Sequence, residues 1–221
     1  MLLISIDTSG RNGSVALCRG DDASFETLQL AILEGGTYSA RLMPAIAELL
    51  EQNSFDKKEV DGFVVVSGPG SFTGLRVGIS TVKGLCEVLG KPLVAVSMLE
   101  ALAIAHGAGD VMAVLDAGRG EAYVGEYRVA NDVAELKREF IVKLSEFAGR
   151  TSRTIVTPDK GVADVLRADG LEISQVDAVH ADGIGRIGLR KLLAGELSDA
   201  ASIDVNYIRR SDAELFARPK G

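Results

Sequence analysis

The chain has no tryptophan, two cysteines and two histidines among 221 residues, and each scarcity closes off a class of chemistry. Cys18 and Cys86 lie far apart, each inside an apolar pattern. Such a pair builds neither a disulfide framework nor a zinc site, so both are expected as buried free thiols in a reducing compartment. His106 and His180 are isolated from each other and form no metal-ligand spacing. Positive charge is short as well: 24 Lys and Arg stand against 31 Asp and Glu, a net charge of -7. Neutralising phosphates needs a basic surface, so this chain is not expected to grip nucleic acid by itself. No apolar run matches a bilayer span, and Met1 to Asp7 carries no basic leader, so a cytoplasmic protein without membrane contact is expected. Ser9, Ser71 and Thr73 have no His or Lys base at a recognisable motif spacing, which speaks against nucleophilic catalysis.

What is present centres on residues 64–78, where the apolar run Val64-Val65-Val66 passes through Ser67-Gly68-Pro69-Gly70-Ser71 into a long helical pattern. A glycine-rich turn opening a helix offers free N–H groups and a dipole to an anion. The sharper motifs fail. Gly74 is followed by Leu75 and Arg76 rather than Lys and Ser or Thr, and the third glycine of a dinucleotide fingerprint would fall at Thr73. Pro69 removes one donor from the turn. The favoured reading is structural: Gly68 and Gly70 make a tight turn, while Gly74 and Gly78, four residues apart, admit a close neighbour to one helix face.

The first third reads as three strands, a helix, a strand, a helix and a strand. Strands are expected at 2–6, 14–18, 24–30, 62–66 and 93–96. A helix capped by Thr37 carries Leu42, Ile46 and Leu49 at core spacing, and a second from Thr73 to Leu89 carries Leu75, Ile79, Val82 and Cys86. Gly90 ends that helix, and Ser97 caps another with Leu99, Leu102 and Ile104. Met112 to Gly120, followed by a strand from Glu121 to Tyr127, then repeats the opening: apolar strand, terminal Asp, small residues, Gly and Arg, second strand. Beyond Phe140, strands at 154–156 and 176–179 alternate with helices at 160–167 and 182–194. The expectation is a duplicated α/β fold with mixed sheets and helical crossovers. Its lobes span 1–100 and 101–221, the boundary lies near 97–110, and the last segment packs back on the first lobe.

A duplicated strand-Asp-turn-strand lobe is the plan of the actin-like ATPase, sugar kinase and ribonuclease H-like superfamily. Within it, Ile6-Asp7-Thr8-Ser9, the block from Ser67 to Ile79, Leu115-Asp116-Ala117 with Tyr123, and Tyr207 to Ala213 together resemble the TsaB family, formerly YeaZ. That resemblance implies the non-catalytic subunit of the bacterial machinery that makes N6-threonylcarbamoyladenosine in tRNA. It implies a heterodimer with a TsaD-type paralogue through helices of the first lobe, work alongside a TsaE-type ATPase with adenylate from TsaC, a homodimer when alone, and contact with tRNA only through the complex. The catalytic paralogue carries a His-x-x-x-His metal pair on its first long helix, near the positions held here by Tyr38 and Arg41 or Leu42. With no such pair, no metal and no catalytic residue are expected, and no cofactor, with nucleotide only in the assembled complex.

Individual residues carry competing readings. Asp7 and Asp116 end strands beside the expected cleft, where ATPases of the superfamily hold magnesium through water. The preferred alternative is that each carboxylate caps its own turn. Asp7, Gly68, Gly70 and Asp116 would be the nucleotide contacts if the chain were a slow inter-lobe ATPase, the alternative function. Arg76 either salt-bridges within the lobe or reaches a partner's carboxylate or phosphate. His106 fits a helix C-terminus. A glycopeptidase, the activity in an old family name, would need a nucleophile with its base. Tyr38, Met43, Leu50, Val77, Leu85 and Val88 cannot all face one sheet, and with Arg76 they make the expected helix-helix partner interface.

Overall fold

The computed structural model describes residues 1–147, 153–206 and 208. Its first lobe begins with three antiparallel strands, β1 (Leu2–Asp7), β2 (Asn12–Gly20) and β3 (Phe25–Glu34). Helix α1 (Tyr38–Gln52) leads to β4 (Gly62–Gly68), and α2 (Phe72–Leu89) leads to β5 (Leu93–Ser97). Both later strands run parallel, giving the order β3-β2-β1-β4-β5. After α3 (Met98–His106) the pattern returns with β6 (Gly109–Gly118), β7 (Glu121–Ala130), β8 (Val133–Lys143), β9 (Thr154–Thr157), α4 (Lys160–Ala168), β10 (Ile173–Gln175) and α5 (Ala181–Leu193). The second sheet has the order β8-β7-β6-β9-β10, strand for strand the order of the first. Its first three strands are antiparallel and its last two parallel, so the duplication extends to topology.

The two helices that follow the sheets tie the lobes together. Helix α3 turns Leu99, Leu102 and Ala103 to the second sheet while Met98 and Ala101 join the first core. Helix α5 lies on the first sheet, where Ile184, Ile187 and Leu189 pack against the strands. Residues 181–206 therefore belong physically with the first lobe. Ser198 N–H donates to Leu93 O (2.8 Å), Asn206 N–H donates to Ser67 O (2.8 Å), and Lys83 Nζ donates to Ala201 O and Ile203 O (3.1 and 3.2 Å). The motif from Tyr207 to Ala213 lies, except for Ile208, outside the described residues.

Several expectations need correction. β3 runs on to Glu34, because Ala31 and Leu33 keep pairing with Val15 and Gly13. β8 is an additional strand with a largely charged, exposed edge, so no apolar alternation announced it. Val176 to Val179 is not a strand. β10 stops at Gln175, and Val179 is partly buried between the two cores without pairing. Thr37 occupies the cap position of α1, yet its hydroxyl donates to Glu34 O (2.6 Å) and makes no cap bond. Ser71 and Ser97 do cap α2 and α3, accepting from Gly74 and Glu100 N–H. Cys18 and Cys86 are buried free thiols, and burial pushes them up to about 12 and about 11.

Helix α2 lies against the β1–β2 turn with no room for a side chain. A Cβ at Gly74 would be driven into Thr8 O, and one at Gly78 into Thr8 Oγ1. Gly84, farther along the same helix, faces open space. Gly74→Ala should therefore destabilise by about 1–3 kcal/mol, whereas Gly84→Ala should stabilise by about 0.5–1 kcal/mol as a helix glycine is replaced. Urea unfolding of the two variants checks this opposite pair of signs.

Candidate functional site

A cleft of about 1200 Å³ runs between the lobes. One wall comes from the β1–β2 turn with Asp7, Ser9 and Gly10, from Tyr38, from the Pro69–Gly74 loop and from His180 at the start of α5; the other comes from Asp116, Tyr123 and Asp159. The two turns bearing Asp7 and Asp116 thus face one space, as the duplicated strands require.

Each carboxylate serves its own turn. Ser9 N–H and Ser9 Oγ donate to Asp7 Oδ1 (2.8 and 2.6 Å), and Gly118 N–H donates to Asp116 Oδ1 (2.8 Å). Asp7 is buried and Asp116 exposed. Burial raises the Asp7 carboxyl above its ordinary range, against the Ser9 hydrogen bonds and the His180 charge, which pull it down. Tyr38 O–H donates to Gly10 O (2.8 Å) and pins the same turn; burial, then the Asp7 charge, pushes the phenol up to about 12.

Part of the donor set at the glycine-rich loop and the start of α2 is bonded inside the lobe. Ser71 N–H donates to Ser9 O (2.7 Å), Gly74 N–H to Ser71 Oγ (3.3 Å) and Leu75 N–H to Ser71 O (2.9 Å). The Ser71 and Gly74 amides are thereby taken from any anion at the start of α2. Gly68 sits at φ +129, a conformation open to glycine, with Asn206 O at 3.1 Å from where a Cβ would stand. A Cβ at Gly70 would strike Ser9 O, so this loop is built to clasp the β1–β2 turn.

Asp159 and His180 were not singled out as cleft residues by the sequence reasoning. Asp159 Oδ2 accepts Asp116 N–H (2.7 Å) from the loop that opens α4, the counterpart by duplication of the loop that opens α2. The repeat was the available signal. His180, at the cap position of α5, lines the cleft beside Asp7, held there as the next residue's N–H donates to Ser14 Oγ of β2 (2.8 Å). His106 ends α3, with Nδ1 3.4 Å from Ser174 Oγ.

The expected partner residues divide. Tyr38 and Leu50 are 6% and 7% exposed and belong to the lobe's own core, a correction that removes them from any outward face. Tyr38 turns inward because its hydroxyl has a backbone acceptor there, and Leu50 because it packs with the α1 core stripe. Val77 and Leu85 are half-buried against the core. Met43 on α1 and Val88 on α2 are 48% and 82% exposed. Arg76 is exposed and stacks over the Phe72 ring, 3.9 Å from its centroid. Phe72 was not among the expected interface residues.

Two five-stranded mixed sheets of one topology, a carboxylate-bearing turn in each and a cleft between them define a two-lobed protein of the actin-like, ribonuclease H-like class. The chain matches the family model described as "TsaD: tRNA N6-adenosine threonylcarbamoyltransferase" over residues 36–181, about two thirds of its length, and belongs to that family. Within it, the likeness is to TsaB, also called YeaZ. It is 36% identical over 137 residues to the tRNA threonylcarbamoyladenosine biosynthesis protein TsaB of Bacillus subtilis, covering 61% of this chain and 58% of that protein. The TsaB of Haemophilus influenzae is 34% identical with the same coverage. The chain thus spans 58% of the length of these curated relatives. YeaZ from Pseudomonas aeruginosa superposes with a TM-score of 0.75 at 25% identity, covering 92% of this chain and 99% of that one.

The Asp7 environment has a pH consequence. An unfolded Asp titrates near about 3.9, and burial lifts the folded value above it. The folded chain holds this proton more tightly, so the contribution is full below the unfolded pKa and lost as pH rises through the folded one. Relative to Asp7→Asn, the natural chain should lose stability as pH climbs from about 4 towards neutrality. Urea midpoints of the pair measured across that window provide the check.

Proposed function

We propose that the chain is a non-catalytic scaffold subunit in the synthesis of N6-threonylcarbamoyladenosine in tRNA, binding a TsaD-type transferase and stabilising its active conformation. The observation that carries this reading is that α1 and α2, which pack on each other, leave Met43 and Val88 exposed outside the lobe core, with Phe72 exposed at the first turn of α2. Large apolar side chains left on adjacent helices suit a helix-helix contact with a second protein of the same fold. Val77 and Leu85 lie half-buried along α2 and supply the margin. Arg76, stacked on Phe72, supplies a charge for a partner carboxylate or phosphate.

The non-catalytic part of the reading rests on residue types. Where the transferase carries its histidine pair, α1 presents Tyr38, Arg41 and Leu42, and Tyr38 is committed to Gly10 O. Asp7 and Asp116 serve their own turns, and Ser71, Gly74 and Leu75 N–H are bonded within the lobe. The partner's population of active conformers would shift through the interface, with no chemical step in this cleft. The chain would hold no cofactor of its own, nucleotide entering only with the assembled complex. A TsaE-type ATPase and tRNA would meet the pair rather than this subunit alone, and with no partner present the same face would close a homodimer.

Met43→Glu or Val88→Glu places a charge in the proposed contact. Each should leave the fold intact by circular dichroism and weaken both self-association and binding to the transferase at least about tenfold. Light scattering and co-elution read the outcome; unchanged masses would move the interface elsewhere.

A further inference from the structure

The Glu139 carboxylate joins three parts of the molecule that no single sheet connects. It sits on β8 opposite Gly125 of β7, half-buried. Its Oε1 accepts Tyr127 O–H (2.6 Å) from its own lobe and Ser97 Oγ–H (3.1 Å) from the junction of β5 and α3 in the first lobe. Its Oε2 accepts Asn206 Nδ2–H (2.8 Å) from the segment that follows α5. A carboxylate with three donors forms stronger bonds than a neutral acceptor, and here they bridge the lobes. Burial and the Glu139 bond both push the Tyr127 phenol upward, which keeps that hydroxyl a donor.

The segment that delivers Asn206 is itself tied to the first lobe at separate points. Ser198 bonds to β5 through its N–H on Leu93 O (2.8 Å) and through Oγ, which accepts Ala95 N–H (2.9 Å). Lys83, on α2, holds Ala201 O and Ile203 O. Asn206 N–H ends the run on Ser67 O, beside the glycine-rich loop of the cleft. The path therefore leads from α2, along 198–206, to the carboxylate on the second lobe.

We propose that residues 198–206 form a strap that couples helix α2 to the angle between the lobes, with Glu139 as the point where it fastens to the second lobe. Held, the strap keeps one lobe arrangement and one cleft width. Displacing Lys83 from the strap carbonyls, or Asn206 from Glu139, leaves the lobes linked mainly through α3 and α5 and lets a second arrangement populate. The strap acts within the isolated chain, whatever partner the first lobe binds.

Spin labels on Glu51→Cys and Asp164→Cys, exposed on α1 and α4, report the inter-lobe distance, the native thiols being buried. In the otherwise natural chain the distance distribution should be narrow. Asn206→Ala and Glu139→Ala should each broaden or shift it about twofold, as expected when one arrangement loses its preference. Lys83→Ala, a change on α2 remote from the Glu139 contact, should act in the same direction; a purely local role for Glu139 would leave it without effect. If Glu139→Ala fails to fold by near-ultraviolet dichroism, Asn206→Ala and Lys83→Ala decide, because both act on the strap while leaving the buried Tyr127 hydroxyl its acceptor. An unchanged distribution in folded Asn206→Ala, or in folded Lys83→Ala, overturns the proposal.

Discussion

The close approach of α2 to the β1–β2 turn is the constraint on which the first lobe depends. Glycine at 70, 74 and 78 brings one loop and one helix against Thr8 and Ser9, where any side chain would collide with backbone or with the Thr8 hydroxyl. Contact at that range lets Ser71 N–H reach Ser9 O. It buries Asp7 behind the turn and aims the first turn of α2 at the cleft. It also fixes which side of α2 faces the sheet, and so which residues are left outward. The core stripe of Leu75, Ile79, Val82 and Cys86 is one consequence, and exposed Val88 is another.

Duplication supplies the second lobe, and an exchange of helices makes the two lobes one body. Each sheet repeats the same order, yet α5 covers the first sheet and α3 reaches the second while touching the first. Neither lobe's apolar surface is covered by the elements of its own repeat alone. The cleft lies where the two copies of the strand-turn-strand unit face each other, and its width follows from how α3, α5 and the segment after α5 hold the lobes.

Much of this was legible in the residues. The stripe at three- and four-residue steps located α2 to within one residue of its start, and the glycine pair four apart anticipated close packing on one face, here against Thr8. Apolar runs located β1, β4 and β5. β8 escaped because an edge strand with charged residues on its exposed side has no alternation to show. Val176 to Val179 misled because its partial burial comes from loop side chains between two cores, not from strand pairing. In the cleft, Asp7 and Asp116 were found from their strand ends, while Asp159 depends on the packing that sets its carboxylate on Asp116 N–H and His180 on the packing of α5 against β2. Tyr38 and Leu50 were misassigned because helical spacing counts apolar residues without saying which of them have buried partners.

On the proposed reading the working surface of the molecule is the outside of α1 and α2, and the cleft carries no chemical step. The most direct measurement is threonylcarbamoyl transfer to tRNA, reconstituted with a TsaD-type transferase, a TsaE-type ATPase and supplied adenylate. The reaction is run with no added chain, with the natural chain, with the Asp7→Ala, Asp116→Ala double variant and with the Met43→Glu, Val88→Glu double variant. The account requires that activity depend on the chain, survive the first double variant and fall with the second. Loss of activity with the first while it still binds the transferase would contradict the account and return the chemistry to the cleft.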